Sequence, residues 1–288
     1  MDFRDVNSSS FNSSTPSQWE LQWYECWHWP TCLHVYLTSE MINSFLGLVT
    51  NCWFLKLVTG GSLVQINQEM LSINLAIMEV IYCLLSPLLV LNIIVFVNQT
   101  ILRCSWYIYG LVVAGRPFFQ SCICVERYLA VVHPVVFLRY KPLRYRVTCS
   151  ALVWSAALVL AILYGLNPCI EFAASIFIIV LITNVFCCVS IVVVLRRAGP
   201  GEGMKERNKD RENGGKTMKE RASQTVLIIL ATFAINYIPV IMGAVAYYIG
   251  ISSRSFDCVV ANLTFSFCLL GSFTQPLLYL HKAGKLPC

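Results

Sequence analysis

Apolar positions fall into seven long blocks, roughly Val35–Leu57, Leu71–Val97, Cys104–Val132, Cys149–Leu166, Phe172–Leu195, Gln224–Ile249 and Cys258–Leu280. Blocks of ~20 residues are what a ~30 Å hydrocarbon layer requires, and they lack the alternating or amphipathic stripes of a water-soluble core. In hydrocarbon only helices and closed barrels satisfy every backbone hydrogen bond, and barrel strands would alternate over about ten residues. The pattern predicts an all-α membrane protein: a bundle of seven transmembrane helices over residues 35–281. A segment of residues 1–34 precedes it and a short tail, 282–288, follows it.

Composition agrees. The chain has 57% hydrophobic and 12% charged residues, where soluble domains carry about a quarter charged. Charge then sets the expected orientation, because Lys and Arg accumulate on the cytoplasmic side. With the N-terminus outside and the C-terminus inside, the inner segments hold Lys56, five basic residues from Arg127 to Arg146, nine from Arg196 to Arg221, Lys282 and Lys285. The outer segments hold Arg4, Arg103 and Arg254. The net charge of +6 therefore reflects topology, and nucleic acid is not an expected partner.

The N-terminal segment carries two glycan acceptor triplets, at Asn7 and Asn12; a third, at Asn98, sits too near the membrane to be favoured. No charged n-region and apolar h-region opens the chain, so the first helix is expected to serve as the insertion signal. Residues 198–221 are hydrophilic, mixed in charge and Gly-rich, and read as a flexible third inner loop. Of fourteen cysteines, Cys26, Cys32, Cys104, Cys169 and Cys258 fall on the oxidising side and eight lie within helices as small apolar packing residues.

At the inner end of the third block stands Glu126-Arg127-Tyr128. An acid beside an Arg at a membrane boundary also describes a plain interfacial pair with a snorkelling Arg. The full string VERYLAVVHP, however, resembles the signature of rhodopsin-like (class A) G-protein-coupled receptors. Asn51, Trp154, Phe233 and Pro239 match that family's positions in the first, fourth and sixth helices. Gln275-Pro276-Leu277-Leu278-Tyr279 resembles its seventh-helix Asn-Pro-x-x-Tyr with Gln for Asn. Glu79 stands where the family has Asp, and Tyr237 where it has Trp. The resemblance covers about residues 36–281. It implies a plasma-membrane receptor that passes an extracellular signal to a heterotrimeric G protein. In that family the acid restrains the Arg at rest and the freed Arg contacts the G protein, so Glu126, Arg127 and Tyr128 are the coupling candidates. Proline removes a helix hydrogen bond, so Pro239 and Pro276 serve either as hinges or as static kinks.

Two charges lie deep in the apolar blocks. Arg116 lies 12 residues after Cys104 and 11 before Arg127, roughly 16–18 Å from each at 1.5 Å per residue, and Glu79 is similarly deep in the second block. An unpaired charge there is costly, so each needs a partner. The family's second-helix acid and a third-helix hydroxyl residue at the position of Arg116 help to bind sodium. The expectation is that the Arg116 guanidinium replaces that ion against Glu79, with Gln275 adding a hydrogen bond; the alternative is a protonated Glu79 and another partner for Arg116.

The resemblance also implies a disulfide between Cys104 and Cys169. A second bridge is open between Cys26 or Cys32 and Cys258, in competition with a local Cys26–Cys32 bond. Tyr109 occupies the place of the Asp that amine receptors carry, so a monoamine ligand is not expected. The seventh block lacks Lys, which excludes a retinal Schiff base. Glu40, Tyr107, Tyr109, Glu171, Tyr247, Tyr248 and Arg254 are candidate ligand-pocket groups, each equally suited to anchoring at the interface. The string HPVVFLRYKPLRYRV resembles the branch containing nucleotide, protease-activated and lipid receptors.

Other classes fit less well. A transporter would show repeated halves and interrupted helices, and His28, His34, His133 and His281 form no zinc spacing, so neither enzyme activity nor a metal is expected. A receptor-like protein without conventional signalling is the nearer alternative, because several switch positions depart from the family.

Overall fold

The computed structural model describes residues 30–96, 98–140, 142–166, 170–197, 230–243, 245–246, 249, 259, 266 and 271–282. Among them the chain is helical, with no strand. In order these are α1 (Pro30–Thr59), α2 (Leu63–Gln68), α3 (Met70–Leu91), a π-helical turn (Asn92–Phe96), α4 (Gln99–Val132), α5 (Pro134–Tyr140), α6 (Leu143–Leu166), α7 (Ile170–Arg197), α8 (Leu230–Gly243) and α9 (Gly271–Lys282). Five of them, α1, α3 with its π turn, α4, α6 and α7, are long and apolar enough to cross a membrane. The described parts of α8 and α9 are shorter.

Local chemistry explains where the helices start. The predicted third block begins at Cys104, but α4 begins at Gln99 because the Asn98 side chain accepts hydrogen bonds from the backbone of Thr100 and Ile101, at 2.9 and 3.3 Å. Those are N–H groups that a helix N-terminus leaves without partners. Asn92, buried in the π turn, grips the same connection: its Nδ2 donates to the Asn98 carbonyl and its Oδ1 accepts from the Asn98 N–H. Pro134 opens α5, where a missing N–H costs nothing. Besides Pro239 and Pro276, two further prolines lie inside helices, Pro87 in α3 and Pro117 in α4.

The bundle keeps an apolar core but differs from a soluble domain in its apolar outside and in the polar groups set within that core. Phe45, Leu84, Leu88, Leu152, Ile179 and Ile182 are exposed, whereas Glu40, Asn43, Asn51, Glu79, Arg116 and Gln120 are buried. Polar groups that face the bundle interior and apolar ones that face outward are what lipid as a solvent selects. The chain is accordingly a multi-pass membrane protein. Helix α4 is the most enclosed of the five. It packs against α3, α6 and α7, while α1 packs against α3 and α9.

Candidate functional site

Four polar layers are arranged along α4. At its middle, Arg116 and Glu79 are 1% and 2% exposed and bind side-on: Nε donates to Oε1 at 2.5 Å and Nη2 to Oε2 at 2.8 Å. Such a two-point fit uses both carboxylate oxygens and fixes the rotamer of each partner. Nη2 also donates to the Ser272 hydroxyl on α9 at 2.7 Å, so the layer ties α3, α4 and α9 together. Beside it, the Asn51 amide donates to the backbone carbonyls of Gly47 and Ser272. Gly271 permits the close approach of α9: a Cβ there would lie 2.7 Å from Asn236 Nδ2 and 3.5 Å from Arg116 Nη1. Gln275, expected to add a hydrogen bond, has its side chain outside the described residues.

Toward the N-terminal end of α4 lies a layer that sequence reasoning largely missed. Glu40 of α1 is fully buried. Its Oε1 accepts from Tyr82 at 2.7 Å, Tyr109 at 3.1 Å and Tyr36 at 3.3 Å, and its Oε2 from Ser86 at 2.5 Å. Tyr36 and Tyr109 also share a hydrogen bond. Four hydroxyls from α1, α3 and α4 therefore enclose one carboxyl group, which offsets the cost of burying it. Glu40 and Tyr109 are among the sequence candidates, but Tyr36, Tyr82 and Ser86 are not. The signal that could have found them is spacing, since Tyr36 and Glu40, and Tyr82 and Ser86, are each four apart and share a helix face. Tyr109 thus spends its hydroxyl inside the bundle. Tyr107, half-exposed, lies over Gly165 of α6 instead, where a Cβ would strike its ring.

One turn beyond Arg116, Gln120 accepts a 3.2 Å hydrogen bond from Tyr237 of α8. The Tyr237 ring packs between Phe177 and Phe233, with centroids 4.6 and 4.3 Å away. A phenol fills this buried site where the resembled family has an indole. Pro239 lies in the same helix, two residues on. Pro276 is inside α9, and Tyr279 meets Phe54 of α1 edge to face at 4.8 Å.

At the far end of α4 the ion pairs differ from the expectation that Glu126 restrains Arg127. Glu126 accepts a hydrogen bond from Arg146 of α6. Arg146 is buried, and its Nη1 donates at 2.5 Å to the Asn67 carbonyl in α2. Arg127, 46% exposed, pairs with Glu69 across 3.2 Å. Adjacent side chains on a helix diverge by about 100°, so each reaches a different neighbouring element. Tyr128 turns to His133, its hydroxyl 3.1 Å from Nε2. Trp154 donates to Asn74, linking α6 to α3. Glu69 and Arg146 are legible in the sequence only as loop charges. Glu69 is the one acid between the first two blocks.

Several candidates lie outside the described residues: Asn7, Asn12, Cys26, Cys169, Tyr247, Tyr248, Arg254, Cys258, most of the 1–34 segment, loop 198–221 and most of the tail. The side chains of Cys32 and Glu171 do too. Cys104 is exposed near the start of α4. Among the described residues no group of three or more His, Cys, Asp or Glu side chains is placed to hold a metal ion.

An all-helical bundle with apolar outer faces, a polar centre and Glu126-Arg127-Tyr128 closing α4 resembles the rhodopsin-like G-protein-coupled receptors, and sequence relatives agree. The chain is similar to the Y-type purinoceptor 1 of Gallus gallus and to that of Meleagris gallopavo. Each is 28% identical over 192 residues, which cover 58% of this chain and 51% of the relative. The chain thus spans about half the length of the curated relatives it matches. No family model matches it.

Proposed function

We propose that the chain is a seven-helix receptor of the plasma membrane, with its N-terminus outside and its C-terminus inside. It passes an extracellular signal to a heterotrimeric G protein through Arg127. The observation that carries this reading is the placement of Arg127. It closes α4 within VERYLAVVHP, and its side chain is half-exposed and held by one ion pair, whereas Tyr109, Arg116 and Gln120 nearer the middle of the helix are buried. A charge that is both accessible and lightly held suits a docking contact. The basic residues around it support an inner location.

At the centre, Arg116 stands in for the sodium ion of the resembled family, because its guanidinium already occupies both Glu79 oxygens. Rearrangement at Pro239 and Pro276 moves the inner ends of α8 and α9. Cys104 and Cys169 form the outer disulfide, Cys26 and Cys258 are candidates for a second, and Asn7 and Asn12 carry glycans. The name of the relatives makes purine-containing compounds the first ligands to screen, with the pocket bordered by Tyr107, Tyr109, Glu171, Tyr247 and Tyr248.

The test is G-protein activation by wild type and by Arg127→Ala, basal and against a ligand library. Activation lost in Arg127→Ala supports the reading; activation indifferent to it sinks the mechanism. The fully paired Glu79 and Arg116 favour a second reading, a receptor-like protein whose rebuilt centre does not signal conventionally. Ion flux without G-protein activation would favour a transporter.

A further inference from the structure

Two arginines and two glutamates meet at the far end of α4, and the structure pairs them crosswise between helices instead of along the chain. Glu126 bonds Arg146, and Arg127 bonds Glu69. The two pairs are unequal. In the first, the side chains are 16% and 9% exposed, and Arg146 is braced a second time by the Asn67 carbonyl. In the second, Glu69 is 15% exposed, like Glu126, but Arg127 is 46% exposed, so the arginines make the difference. Glu69 is steadied by Ser72, whose hydroxyl donates to its Oε2 at 3.1 Å. Water and salt screen an exposed pair strongly and a buried pair weakly. The Glu126–Arg146 link is therefore the fixed one, and the Arg127–Glu69 link can be released at little cost.

We infer that Glu69 is the resting hold on Arg127, and that Arg146 is a positioning residue that keeps Glu126 away from Arg127. This rests on the reading of Arg127 as the coupling group and adds its regulation. With Arg146 in place, Glu126 is already occupied, and the restraint on Arg127 comes from the α2–α3 junction. Release then requires only that Arg127 leave Glu69, with the α3–α4–α6 contact undisturbed. Without Arg146, the Glu126 carboxylate loses its cation and turns to the nearest remaining one, Arg127.

The test combines nucleotide exchange on added G protein with thermal melting of the detergent-purified full chain. Glu69→Gln is expected to raise basal exchange up to about five-fold, the population shift that an exposed ion pair supports. Arg146→Met is expected to lower it. In melting, the reversed double variant Glu126→Arg with Arg146→Glu recovers the loss that either single causes, and Glu69→Arg with Arg127→Glu does the same on a smaller scale. Basal exchange that rises in Glu126→Gln and stays flat in Glu69→Gln returns the hold to the neighbouring acid and overturns the inference. So does failure of both reversed pairs to recover. Exchange at background in every chain, wild type included, sinks the coupling reading and the regulatory role with it; recovery in melting then leaves the pairs standing as structure only.

Discussion

Arg116 meets Glu79 edge to edge, with Nε and Nη2 on separate carboxylate oxygens at 2.5 and 2.8 Å. Removing one partner of a buried pair leaves a charge without compensation, at about 3–5 kcal/mol, whereas replacing both by apolar groups of similar volume is often neutral. Arg116→Met and Glu79→Leu are each expected to lose most of their surface expression, and the double variant to regain it. Surface labelling of cells reads this directly. A double variant worse than both singles would show that the two residues do not depend on each other.

If Arg116 takes the place of sodium as proposed, the centre is expected to be indifferent to that ion. Both Glu79 oxygens carry guanidinium hydrogens, and a second cation there would lie beside the first in a medium that screens poorly. Exchanging sodium for a large organic cation at constant ionic strength should leave melting temperature and agonist affinity unchanged. A sodium-dependent shift in either would sink the replacement of the ion by Arg116.

Tyr237 separates packing from hydrogen bonding. Tyr237→Phe keeps the ring between Phe177 and Phe233 but leaves the buried Gln120 oxygen without this donor, at about 1–3 kcal/mol. Tyr237→Ala adds the loss of the ring, about 3–5 kcal/mol by analogy with Phe→Ala. Thermal melting should rank wild type above Phe and Phe above Ala; equal melting of wild type and Phe would mean that the hydrogen bond contributes nothing.

For Glu40 the dependence runs the other way, from many donors to one acceptor. Glu40→Leu removes the shared acceptor of four hydroxyls at once, whereas Tyr82→Phe removes a single donor from a carboxyl group that retains others. The first is therefore expected to be much the more destabilising, and Glu40→Gln, which keeps one acceptor oxygen, to fall between them. Purified variants compared by melting decide this. Glu40→Leu melting with wild type would contradict the enclosure.

What could be read from the residues alone followed from extremes of solvent. A charge within an apolar block demands a partner, so the depth of Arg116 and Glu79 showed that each needed one; their pairing with each other was what the family resemblance implied, and the structure shows it. Glu126 and Arg146 gave no such signal. Arg146 is one of five basic residues in a segment where charge itself is the expectation, and only packing shows that it is buried. The Glu40 layer was obscured because a tyrosine reads as apolar by its ring, and its hydroxyl takes part only when neighbouring helices bring an acceptor. Helix starts failed similarly: Asn98 looks like loop until its side chain is seen capping α4.

Helix α4 carries Tyr109, Arg116, Gln120, Glu126 and Arg127, and each is fastened to a different neighbour: α1, α3, α8, α6 and the α2–α3 junction. Turning this helix about its axis would break all five attachments together. It behaves as an axle with its spokes fixed, and any movement transmitted along the bundle must come from a neighbour letting go of it. The neighbours attached through a neutral hydrogen bond or an exposed ion pair, α8 at Tyr237 and the α2–α3 junction at Glu69, are the ones positioned to let go first.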